Sequence, residues 1–162
     1  MPKLLALALA AAFLAAGCES RDVQKDLQIV DVRTGYYDLG QVPGNPEQIK
    51  IVPGVTFSLK NVSDRAIGGV EVDAVFRKAG KDVVTDEHYV KAIPSNQPLA
   101  AGATTEPIVL KSRFGFTGTE TRPQMFKNSL FEDQQVTVLG KHGRNNWARM
   151  GTFLIERVPI NR

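Results

Sequence analysis

Three separated stretches of strict alternation constrain this chain more than any other feature. Val55, Phe57 and Leu59 alternate with Thr56, Ser58 and Lys60. Val70, Val72, Ala74 and Phe76 alternate with Glu71, Asp73, Val75 and Arg77, and Val136 and Val138 alternate with Gln135 and Thr137. Successive side chains of a strand point to opposite faces, so this spacing makes ribbons with one face for a core and one for water. A helix would scatter the same residues around its whole circumference. Trp147, Phe153 and Ile155 are in phase on a further strand, which predicts Trp147 in the core. Leu27 to Arg33 reads as an opening strand, and Thr105 to Lys111 fills the middle.

Turn chemistry separates these stretches. It occurs at Pro43-Gly44-Asn45-Pro46, Asn61 to Asp64, Ala79-Gly80-Lys81-Asp82, Ala101-Gly102 and His142-Gly143-Arg144-Asn145-Asn146. One segment breaks the pattern. Thr121 is a candidate N-cap and Pro123 lies in the first turn of a helix over 122–131, where Met125, Phe126, Ser129 and Leu130 share a face. About seven strands and one short helical crossover predict an all-β protein, an immunoglobulin-like antiparallel β-sandwich, with a small closed barrel as the competing architecture.

The first residues form a separate unit. Lys3 is a minimal positive region, Leu4 to Leu14 is apolar, and Ala15, Ala16 and Gly17 are small. The apolar run is too short for a bilayer core, which takes roughly 20 residues. Leu14-Ala15-Ala16-Gly17-Cys18 resembles the lipobox of bacterial lipoproteins, and Cys18 is the only cysteine. The resemblance covers residues 1–18. It implies removal of the signal peptide 1–17, a diacylglyceryl thioether on Cys18 and a third acyl chain, such as palmitate, on the new amino terminus. Two or more chains anchor a protein stably where one holds it only marginally. Glu19-Ser20 after the cysteine, in place of Asp, resembles the pattern sorted to the periplasmic face of the outer membrane. Lipidation also removes the liability of a lone thiol in an oxidising compartment. Residues 18–26 then read as lipidated Cys18 and a polar tether, and residues 27–162 as one sandwich domain.

Charge narrows the partners. The chain has 20 Lys and Arg, of which Lys3 falls in the leader, against 17 Asp and Glu, leaving about +2 on the mature chain. That is too nearly neutral to indicate a nucleic-acid partner. With no further cysteine, no disulfide framework exists and an apolar core must hold the fold. A chain of this length can bury roughly two thirds of its unfolded surface.

Residues 55–110 carry a second likeness. Phe57-Ser58-Leu59-Lys60-Asn61-Val62-Ser63, then Val70 to Phe76 ending in a hairpin at Gly80, then Leu99-Ala100-Ala101-Gly102, resemble the FxLYD-type immunoglobulin-like domains of bacterial surface proteins. Phe76 is followed by Arg77-Lys78-Ala79 where that pattern has an acidic turn. The resemblance implies a binding or spacer module and brings no active site with it.

Catalytic and metal chemistry find little support. His88 and His142 are far apart, and neither lies in a ligand-spaced motif, so no metal site or cofactor is expected. No Gly-x-Ser-x-Gly elbow exists, and Ser95, Ser112 and Ser129 have no local partner. Asp86-Glu87, Glu132-Asp133 and Asp22/Asp26 are carboxylate pairs in polar turns or the tether, where solvated charge is the ordinary outcome. No catalytic residue is therefore assigned.

Two surfaces stand out. Lys141-His142-Gly143-Arg144-Asn145-Asn146-Trp147-Ala148-Arg149 is a basic hairpin beside the only tryptophan. Lys141, Arg144, Trp147 and Arg149 suit an anionic partner such as a lipid headgroup, lipopolysaccharide or an acidic protein. The alternative is a solvated hairpin with Trp147 turned inward, which its phase favours. In Ser112-Arg113-Phe114-Gly115-Phe116-Thr117-Gly118, Phe114 and Phe116 either plug the end of the sandwich under the helix, the favoured reading because large apolar residues are seldom left in water, or form a contact patch. Together these features predict a lipid-anchored, non-enzymatic envelope module. An envelope hydrolase with a site invisible in sequence, or an accessory subunit of a secretion or transport assembly, are the competing classes.

Overall fold

The computed structural model describes residues 21–160, so the signal peptide and Cys18 lie outside the described residues. The chain is a sandwich of two antiparallel sheets. A one-turn helix, α1 (Val23–Asp26), leads into β1 (Leu27–Val42) and β2 (Asn45–Asn61), followed by β3 (Val70–Lys78), β4 (Val84–Ile93), β5 (Ile108–Lys111) and β6 (Phe116–Gly118). Then come α2 (Arg122–Met125), β7 (Gln134–His142) and β8 (Ala148–Leu154). One sheet has the order β1-β2-β5, with β6 also pairing with β2; the other has the order β4-β3-β7-β8. The chain crosses between sheets after β2, β4 and α2, the exchange expected of an immunoglobulin-like sandwich. The eighth strand is the short β6.

The alternating stretches supply the core. Val55, Phe57, Leu59, Val70, Val72, Ala74, Phe76, Val136 and Val138 are all fully buried. Each of these Val, Leu and Phe side chains contributes about 1.5–3 kcal/mol through removal from water. Leu110, Met125 and Ile155 complete the layer. At the end of β2, buried Asn61 ties the β2–β3 and β4–β5 loops together. Its Oδ1 accepts from the Ser63 N–H at 3.0 Å. Its amide donates to the carbonyls of Arg65, Leu99 and Ala100 at 2.8, 3.0 and 3.1 Å.

Four expectations change. First, β1 runs to Val42, beyond Arg33, and makes a long hairpin with β2 whose turn places Gly44 at φ +79°. Its alternation is hidden by register shifts at Val30/Arg33 and Asp38/Gly40 and by consecutive buried Tyr36 and Tyr37. Tyr36 faces the core, while the Tyr37 hydroxyl shares a 2.6 Å hydrogen bond with Thr56 and covers the other face of β2. Second, the helix expected over 122–131 is only the turn Arg122–Met125, closed by the Gln124 side chain accepting from the Thr121 N–H at 3.0 Å. Asn128 ends it: its Oδ1 accepts from the Leu130 N–H at 2.9 Å, so Leu130 swings out and Phe131 turns in.

Third, the expected tether 18–26 is already folded from Arg21 onward. Val23 is buried, the Asp22 side chain accepts from the Gln24 N–H, and Gln24 Nε2 donates to the Arg149 carbonyl at 2.7 Å. Fourth, Trp147 is not in the core; it is 39% exposed. Val138 pairs with Gly151 but Leu139 pairs with Arg149, so Met150 is an extra residue in β8. That bulge reverses the phase, turning Ala148 inward opposite Gly140 and Trp147 outward.

Candidate functional site

The outer face of the β4-β3-β7-β8 sheet carries the one place, among the described residues, where two exposed large aromatics meet ring to ring. Lys91, Glu71 and Lys141 form one cross-strand row, and Tyr89, Asp73, Leu139 and Arg149 the next. Tyr89 is 49% exposed and meets Trp147 edge-on, with ring centroids 6.2 Å apart and planes at 87°. Lys141 Nζ lies 4.8 Å from the Trp147 centroid and 2.7 Å from Glu71 Oε2. The ion pair thus fixes the ammonium over the indole, and each contact of this kind is worth about 0.5–1 kcal/mol at an exposed site.

The acids of this face are tuned in opposite directions. Hydrogen bonds from Lys141 and from the Tyr89 hydroxyl hold the Glu71 carboxyl below its ordinary range. The bond to Glu71 correspondingly pushes the Tyr89 hydroxyl up. Burial, with Glu87 nearby, pushes Asp73 up. The result is a flat aromatic and ionic patch at one end of the sandwich, with Arg144 and Arg149 exposed beside it. The end is defined by the start of the domain: Asn145 Nδ2 donates to the Arg21 carbonyl at 2.7 Å, and the Gly143 N–H donates to the Gly69 carbonyl.

Phe114 and Phe116 are not part of this patch; they lie at the opposite end. A Cβ on Gly115 would overlap the Ile51 carbonyl oxygen, so this residue lies directly on the β2 backbone and its neighbours splay apart. Phe114 is 59% exposed under the Arg113 guanidinium, 5.6 Å from its ring, so the expectation that it plugs the sandwich is corrected. Phe116 is half-buried, 5.3 Å from Phe131. Phe131 also meets Tyr36 and Phe126 at 5.0 and 5.5 Å, and Arg157 covers it at 5.0 Å. Burial raises the Tyr36 hydroxyl well above its ordinary value. A shallow cleft of about 260 Å3 opens between this cluster, Phe114 and Leu130.

His88 and the paired carboxylates have structural positions, while His142 ends β7 at the basic hairpin. His88 Nδ1 lies 3.0 Å from the Lys111 N–H donor and joins the edges of the two sheets. Asp86, buried in the same seam, accepts from Ser112 Oγ at 3.1 Å, the Arg113 N–H at 2.6 Å and the Arg113 guanidinium at 2.6 Å. Burial alone would push Asp86 up, but these donors hold its carboxyl well below the usual range. Glu132 is pulled down to about 2 by Lys78 and Lys81, and Asp133 pairs with Arg157 at 2.7 Å. Asp26 pairs with Arg21. Among the described residues, no group of three or more His, Cys, Asp or Glu is placed to hold a metal ion. No helix among them is long and apolar enough to cross a membrane.

Sequence reasoning brought Lys141, Arg144, Trp147 and Arg149 together and missed Tyr89 and Glu71. The signal for Tyr89 was masked because the inward positions of β4 include Asp86 and His88, which spoil the alternation of that strand.

No known family matches the chain, and no characterised protein matches it in sequence. Among solved structures it is similar to a Bordetella pertussis protein provisionally named ApaA. The identity is 16% and the TM-score 0.38, with 80% of this chain and 92% of that chain covered. Nothing is carried over from it at that level of superposition.

Proposed function

We propose that the chain is a lipid-anchored, non-enzymatic module of the bacterial cell envelope. It is held through Cys18 at the periplasmic face of the outer membrane and binds an envelope partner, an anionic component or a protein, with the Trp147 face. The lipobox and Glu19-Ser20 support the address. The observation that carries the binding role is the Trp147–Tyr89 pair, kept in water and braced by the Lys141–Glu71 ion pair. Large aromatics are seldom left exposed together without a contact to make, and Trp and Tyr are the residues enriched where binding energy concentrates. The non-enzymatic reading is supported by the commitment of Asp86, Glu132 and Asp133 to ion pairs that hold loops.

Metabolic labelling with a fatty-acid probe tests the anchor. The wild-type chain takes up label and Cys18→Ser does not; equal incorporation would overturn the address. Crosslinking in the native envelope tests the binding role. Adducts found with the wild type are lost in Trp147→Ala, and adducts that survive the substitution would place binding elsewhere.

A further inference from the structure

The folded tether fixes which end of the molecule faces the membrane. Arg21 is already pinned: its guanidinium donates to the Ala66 carbonyl at 2.8 Å, and its carbonyl accepts from Asn145 at 2.7 Å. Three peptide units separate Cys18 from Arg21, and three residues of extended chain span at most about 11 Å. The Cys18 Cα is therefore confined to that distance from the Arg21 Cα, which itself sits among the loops gathered here: Ser63–Ala66, Gly69 and the β7–β8 hairpin. The headgroup layer is about 5–7 Å thick on each side of the hydrocarbon core. Charges act over about 8 Å at physiological salt. Arg144 and Arg149 thus lie within effective range of lipid phosphates.

Charge and side-chain chemistry agree with that placement. Four acids of this end are matched to cations: Asp22 to Lys25, Asp26 to Arg21, Asp64 to Arg65 and Glu71 to Lys141; the fifth, Asp73, has no cation partner among the described residues, and burial pushes its carboxyl up towards the neutral form. Arg144 and Arg149 have no acidic partner among the described residues and leave the end cationic. Beside them stand Trp147 and Tyr89, the side chains that concentrate at membrane–water interfaces because one end is apolar and the other polar. We infer that the β7–β8 hairpin docks on anionic phospholipid headgroups of the membrane that holds Cys18, with Trp147 at interfacial depth. The end carrying Phe114 and Leu130 then points into the aqueous space. This rests on the anchoring reading above and names the partner of that surface.

Trp147 is the only tryptophan in the chain, so its emission reports the contact. The full lipidated chain is reconstituted in phosphatidylcholine vesicles with and without phosphatidylglycerol, using phospholipids brominated near the headgroup as quenchers. Mass analysis of the same preparation reads the modification of Cys18. Quenching and a blue shift are expected with phosphatidylglycerol. Arg144→Ser combined with Arg149→Ser is expected to lower the docked-to-undocked ratio about thirtyfold, two surface cations' worth. High salt acts in the same direction. Modified Cys18 with Trp147 unquenched and as red as in detergent overturns the docking alone. Quenching that is equal without phosphatidylglycerol overturns the anionic partner. An unmodified Cys18 overturns the anchoring reading and this inference with it.

Discussion

The two ends of the sandwich use aromatic residues in opposite ways. At the far end Tyr36, Phe116, Phe126 and Phe131 pack ring against ring at 5.0–5.5 Å, with Arg157 as a cover. At the end where the chain enters, Trp147 and Tyr89 meet edge-on in solvent and are held by an ion pair. The first arrangement removes apolar area from water and so stabilises the fold. The second leaves that area available. Burial, not residue type, separates the core cluster at one end from the exposed pair at the other, and the proposed function gives stability to the first and recognition to the second.

Truncation should expose that division most strongly at the far end. Phe131→Ala removes the ring that touches three others and leaves a cavity, and it should cost about 3–5 kcal/mol in chemical denaturation. A loss below about 1 kcal/mol would mean the cluster is not a core. Asp86→Asn comes next, at about 2 kcal/mol near neutral pH, because it weakens charged hydrogen bonds in the seam between sheets. The folded carboxyl is held below its unfolded value of about 3.9, so its contribution is present above that pH and is lost as pH falls through the folded value. Wild type and variant should therefore differ at neutral pH and converge in acid. A gap that persists unchanged into strong acid would show that the lost stability does not come from the charge.

The entry end should respond weakly to the same treatment. Trp147→Ala is expected to lower stability by only about 1 kcal/mol, the sum of an exposed edge-on pair and a cation contact. In the wild type the lone indole should emit red-shifted light and be quenched readily by iodide. Blue-shifted emission with a loss of about 3 kcal/mol or more would place the ring back in a core and erase the contrast between the ends. The smallest effects belong to Phe114→Ser and Leu130→Ser, each within about 0.5 kcal/mol by thermal denaturation, since both side chains stand out in solvent.

The fold was legible where alternation was unbroken. Val55–Leu59, Val70–Phe76 and Val136–Val138 each kept one apolar face, and each entered the core in the expected phase. It was illegible where the backbone gained a residue or the inward face was polar. The extra Met150 in β8 inverted the reading of Trp147 while leaving Ile155 correct, because the phase is lost only on the far side of a bulge. Strand β4 was hidden because Asp86 and His88 turn inward to seal the two sheets. Of the candidate surface, the hairpin residues were visible as neighbours in sequence. Tyr89 and Glu71 join them only through the cross-strand register of three strands, and no local pattern carries that information.

The central claim is that recognition belongs to the end where the chain enters and stability to the other. Photo-crosslinkers placed singly at Trp147 and at Phe114 in the lipidated chain, activated in the intact envelope, test it directly. The account predicts adducts to an envelope component from position 147 and none of comparable yield from position 114. Adducts confined to position 114 would contradict it.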